Sequence, residues 1–151
     1  MIVSNSSCLI VLGKLRKLDI LQKMYGRIAI PGAVKREVFK SRPAPNWIEV
    51  IEITEPVAHR ILEKTLGDGE NEAIILGLEL DAELLIVDDL AARRLAQSLG
   101  LRMTGTIGIL LEAKRYGLIQ EIRPVLDEML RWNFRVSKTL YDNALELAHE
   151  K

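Results

Sequence analysis

The chain has 151 residues, 48% of them hydrophobic and 28% charged, which fits one globular domain over 1–151 and excludes a disordered polymer. Its 21 basic residues balance 21 acidic ones, so global charge selects no nucleic-acid partner and only local patches can. The single cysteine, Cys8, cannot form an internal disulfide and fits a reducing compartment as a small core residue. No run of about 18 apolar residues offers a membrane span. The apolar start lacks the basic lead and small-residue cleavage site of a secretory signal. A soluble, cytoplasmic protein is expected.

Ile2-Val3 reads as a short buried strand, followed by the polar run Ser4-Asn5-Ser6-Ser7, which can cap a helix from Cys8 to about Leu12. Gly13 is expected to interrupt that helix. Leu15, Leu18, Leu21 and Met24 then recur at helical spacing up to Gly26. Arg27 to Ile30 is a second strand. Pro31 opens a helix with Val34 and Val38 on its buried face and Glu37 beside them. After the loop Arg42 to Asn46, Trp47 to Ile53 alternates as a strand does, and a helix is expected from Thr54 to about Leu66.

Asp68 is a natural N-cap for a helix Glu70 to Leu80. Glu83 to Val87 is the clearest strand; it ends in Asp88-Asp89 before a helix Leu90 to Leu99. Leu101 to Met103 reads as a brief strand and Thr104 to Thr106 as a turn. Helices Ile107 to Tyr116 and Pro124 to Trp132 follow. Phe134 to Val136 reads as extended, and Ser137 caps a last helix, Lys138 to His149. Strands alternating with helices imply right-handed crossovers, hence an α/β fold with a mainly parallel sheet covered on both faces.

Such sheets bind ligands beyond the carboxyl ends of their strands. Asn5 falls there after the first strand, and Asp88 and Asp89 after the fourth. Glu70 and Glu72 open one helix, and Glu37 projects from another. Gathered carboxylates repel unless a cation neutralises them, and oxygen donors without histidine or cysteine favour Mg²⁺ or Mn²⁺ over zinc. Each acid also has a plainer account. Asp88 or Asp89 can cap the helix from Leu90, Glu70 and Glu72 can favour a helix dipole, and Glu37 can be solvated. Spacing alone leaves both accounts open.

Arg93 is the basic residue best placed to hold a phosphate near the acids; Lys35-Arg36 and Lys114-Arg115 read as solvated helix faces. Thr106 can bond a carboxylate or phosphate, or cap the helix from Ile107. His59 and His149 have no partner carboxylate at ligand spacing. Trp47 and Trp132 read as core or interface residues rather than base-stacking platforms.

Val3-Ser4-Asn5-Ser6-Ser7, Ile30-Pro31 through Val34, Glu37-Val38, Gly69-Glu70-Asn71-Glu72-Ala73-Ile74 and Ile86-Val87-Asp88-Asp89 together resemble PIN-domain proteins. Ala92-Arg93, Thr104-Gly105-Thr106-Ile107-Gly108, Ala113-Lys114, Gly117-Leu118-Ile119 and Phe134-Arg135-Val136-Ser137 extend the likeness over nearly the whole chain. The resemblance is to the PIN-like branch related to VapC-type toxins. It implies a three-layer α/β/α nuclease fold, a Mg²⁺ or Mn²⁺ cofactor and RNA phosphodiester hydrolysis. It also implies a homodimer, and for many members a toxin neutralised by an antitoxin.

Carried over position by position, the family's first acid falls at Asn5, its second at Glu37, its third at Glu70 or Glu72, and its fourth at Asp88 with Asp89 adjacent. The hydroxyl residue after the first acid falls at Ser6. An asparagine where the family has aspartate removes one charge and cannot act as a base. Beside a ribonuclease stands the alternative of a catalytically inactive PIN-like module that binds RNA or a protein. A phosphatase or receiver-like domain is disfavoured, because that chemistry needs an acid after the first strand.

Overall fold

The computed structural model describes residues 1–54 and 66–151. The expected helix from Thr54 to Leu66, and His59 within it, therefore lie largely outside the described residues. Five strands form one all-parallel sheet: β1 Ile2–Ser4, β2 Ile28–Ile30, β3 Ile48–Val50, β4 Leu84–Ile86 and β5 Met103–Thr104. Their order is β3-β2-β1-β4-β5, which places β1 at the centre. Among the described residues, eight helices accompany them. These are α1 Ser6–Lys14, α2 Asp19–Tyr25, α3 Gly32–Val38, α4 Asp68–Glu79, α5 Leu90–Ser98, α6 Thr106–Arg115, α7 Arg123–Arg131 and α8 Lys138–Leu147.

The three layers follow from the two-residue period of a strand, which sends neighbouring side chains to opposite faces. Ile28, Ile30 and Ile86 enter the core shared with α1, α2, α6, α7 and α8, through residues such as Leu9, Leu21, Leu110, Leu126 and Leu145. Val3, Ala29, Leu85 and Val87 point the other way, into a second core closed by Ala73, Ile74 and Leu76 of α4 and by Ala92 and Ala96 of α5. Both faces of the sheet are thus dry, as a parallel sheet requires.

Several boundaries differ from expectation for identifiable reasons. The first helix starts at Ser6 and runs through Gly13, whose place in the exposed last turn costs only helix propensity. The N-cap of α4 is Gly67, and Asp68 is the first helical residue. Residues 134–136 run as coil outside the sheet. Ser137 does cap α8, its hydroxyl accepting from Leu140 N at 3.1 Å, because capping chemistry is local and survives its surroundings. No helix among the described residues is long and apolar enough to cross a membrane.

Candidate active site

The carboxyl end of the central strand positions Asn5. Its backbone N–H donates to Ile86 O at 2.8 Å, so the residue is still held by the sheet while α1 begins at the next position. Asn5 serves as the N-cap of α1, yet its side chain makes no capping bond. Asn5 Oδ1 and Ser6 Oγ are both buried and, among the described residues, without a hydrogen-bond partner. A buried amide oxygen left in that state costs free energy, so a donor or cation in front of it would be favoured.

Glu37 and Glu70 face the same place. A Cβ built on Gly69 would collide with Glu37 Oε1 and stand 3.3 Å from Asn5 Oδ1. Glycine at this position lets α4 approach with the two oxygens left where they are, whereas a larger residue would push the Glu37 carboxylate aside. Asn5, Ser6, Glu37 and Glu70 line one hollow of about 340 Å³, walled by Trp132, Asn133 and Phe134. Three separated parts of the chain therefore converge there: the end of β1, the last turn of α3 and the first turn of α4.

Burial raises the Glu70 carboxyl above its ordinary pKa; its own backbone N–H opposes this, and the charges of Asp89 and Glu37 reinforce it. A folded-state pKa that is raised means folding is disfavoured by the charged form, so this group's penalty is present at neutral pH and fades as pH falls. We therefore expect Glu70→Gln to raise the melting temperature of the metal-free protein by about 1–2 °C at pH 7 and by less at pH 4. An unchanged or lower melting temperature at both pH values would contradict a charged, crowded Glu70.

The remaining expected residues are placed differently. Asp88 accepts from Thr106 N and from Thr106 Oγ1, both at 2.7 Å, and so fastens the end of β4 to the start of α6. A Cβ on Gly105 would stand 2.8 Å from Asp88 Oδ1 and 3.0 Å from Arg93 Nη1, so glycine again permits the approach. Arg93 Nη1 donates to Val87 O at 3.1 Å. Asp88, Arg93, Gly105 and Phe134 line a second hollow of about 480 Å³, and Phe134 is common to both. Asp89 is the N-cap of α5, accepting from Ala92 N at 2.9 Å.

Glu72 turns away from the first hollow. Its Oε1 accepts from Ala33 N at 3.0 Å and its Oε2 lies 4.0 Å from Arg36 Nη2, so it joins α4 to the start of α3. Cys8 is fully buried, and burial pushes its thiol up to about 12. The charge of Asp88 adds to this and the Thr106 hydroxyl opposes it. Such a thiol is inert as a nucleophile.

Among the described residues, no group of three or more His, Cys, Asp or Glu side chains stands ready to hold a metal ion. The first hollow instead offers, among the described residues, the carboxylates of Glu37 and Glu70, the amides of Asn5 and Asn133, and the hydroxyls of Ser6 and Ser7. That set matches a hard divalent cation in donor type but falls short in charge. Two residues of the hollow carried no local signal in the sequence. Lys14 and Trp132 come from opposite ends of the chain, and the Lys14 ammonium sits 5.1 Å from the centre of the Trp132 indole. Trp132, read from sequence as core or interface, is 48% exposed. No curated protein sequence matches the chain. A family described as a PIN domain matches residues 1–150, and the chain belongs to that family.

Proposed function

We propose that this PIN domain is a metal-dependent ribonuclease whose activity is reduced by Asn5. The observation that supports it most is the meeting of Asn5 Oδ1 and Glu37 Oε1 over Gly69, with Glu70 on the rim of the same hollow. PIN domains generally act with divalent metals. Glu37 and Glu70 would hold Mg²⁺ or Mn²⁺ with the oxygen of Asn5, and Asp88 and Asp89 would add negative field from the neighbouring strand end. The bound ion would activate water and neutralise charge on the phosphodiester. Ser6, Arg93 and Thr106 border the two hollows or the Asp88 anchor and would position the RNA. In this reading Glu72 acts by positioning, through α3. A relationship to VapC-type toxins would extend the reading to a cytoplasmic homodimer restrained by an antitoxin.

A second reading has its own support. With an amide at position 5 the hollow holds, among the described residues, two carboxylates, which suits a module that binds RNA or a protein without cleaving it. Manganese titration against a panel of single-stranded RNAs separates the two. A nuclease cleaves in proportion to bound manganese, and Glu37→Gln lowers that cleavage by about a hundredfold or more. RNA binding without cleavage at any manganese concentration selects the second reading.

A further inference from the structure

We infer that the wall of the hollow formed by Lys14 and Trp132 is a subsite on which one unpaired nucleobase stacks while its phosphate is held by Lys14. The inference rests on reading the acid hollow as a place where RNA is handled. Trp132 follows the last turn of α7, and Asn133 beyond it takes φ +64°, turning the chain back so that Phe134 also reaches the hollow. The indole is half-exposed, which is unusual for tryptophan away from an interface or ligand. Its orientation is held by the Lys14 ammonium, 5.1 Å from the ring centre.

With Lys14 over one face of the half-exposed indole, the opposite face is the one offered to a base, and the same cation offers a counter-charge to the adjoining phosphate. Both line the hollow that contains Asn5, Glu37 and Glu70, so a base seated on Trp132 would bring its phosphodiester toward those oxygens. The bases of a duplex are stacked on one another and cannot reach such a face. Single strands are thereby selected through stacking rather than through sequence.

The test uses the full chain with Trp47→Phe, which leaves Trp132 as the sole tryptophan reporter. Binding is measured in chelator, so that no cleavage is needed. A mixed-sequence single-stranded RNA should quench Trp132 fluorescence saturably, and the same sequence as a duplex should not. In the otherwise unaltered chain, Trp132→Ala should weaken single-strand binding about tenfold or more, with Trp132→Phe recovering most of it. Lys14→Ala should lower the slope of log affinity against log salt by about 1. Equal affinity of parent and Trp132→Ala, or equal quenching by duplex, overturns the inference. Trp132-dependent binding without cleavage upholds it and removes the nuclease chemistry instead. Cleavage whose KM is the same with and without Trp132 removes this subsite alone.

Discussion

Asn5→Asp should raise manganese-dependent RNA cleavage by about a hundredfold or more over the parent chain, and should make the protein's stability depend on the metal. The reason is where position 5 sits. Its side-chain oxygen is buried, has no hydrogen-bond donor among the described residues, and stands beside Glu37 at Gly69. A carboxylate placed there cannot be answered by solvent. Without a cation, the variant should lose about 1–3 kcal/mol of stability relative to the parent, or about 2–12 °C in melting temperature. Saturating manganese should restore that loss in the variant and shift the parent much less. If the variant melts like the parent with and without manganese and stays inert, the hollow is not a cation site.

Glu150→Ala should have the largest effect on the fold itself. Glu150 is close to the end of the chain, yet only 7% of its side-chain surface is exposed. Its Oε2 accepts from Ile122 N at 2.7 Å and from Lys114 Nζ at 2.9 Å, while Oε1 accepts from Arg123 N at 3.0 Å. Ile122 is the N-cap of α7 and has no side-chain cap of its own. Glu150 supplies that cap from a distance, and Lys114 also donates to Ala148 O. Removing the carboxylate leaves two backbone donors and an ammonium short of a partner. A loss of about 3 kcal/mol, or about 6–12 °C in melting temperature, is expected at pH 7.

Burial pushes the Glu150 carboxyl up, but the two N–H groups and Lys114 outweigh it and hold it below the ordinary value. Because folding lowers this pKa, the stabilisation is complete above the usual carboxylate range. It disappears as pH falls through the still lower folded value. The parent and variant melting curves should therefore converge in acid. A difference that persisted undiminished at pH 2 would assign the effect to packing rather than to the charge.

The layered α/β arrangement was readable because buried parallel strands are short apolar runs punctuated by turns, as in Leu84-Leu85-Ile86. The caps at Asp89 and Ser137 were readable for a different reason: a side chain bonding its own third-next N–H needs nothing from the rest of the molecule. Sequence also led to Asn5, Glu37 and Glu70, which the fold gathers. It could not separate Glu70 from Glu72 until their helix was in view. Residues two apart on a helix point about 200° away from each other, so the pair cannot share one hollow. Lys14 with Trp132, and Glu150 with Ile122, escaped because each partnership is made by tertiary packing across many residues. Spacing carries no trace of such pairs.

The bond from Ala33 N to Glu72 has a bearing on how mutational scans of this chain are interpreted. It ties the front of one acid-bearing helix to the flank of the other, so it acts as a spacer bar for Glu37 and Glu70 while touching neither. On the metal-dependent reading proposed above, truncating Glu72 would let the gap drift, and a fall in cleavage would look like a missing ligand. On that same reading, a shorter or longer side chain at that position would act as a tuning screw, changing which ionic radius the pair could span without altering either acid.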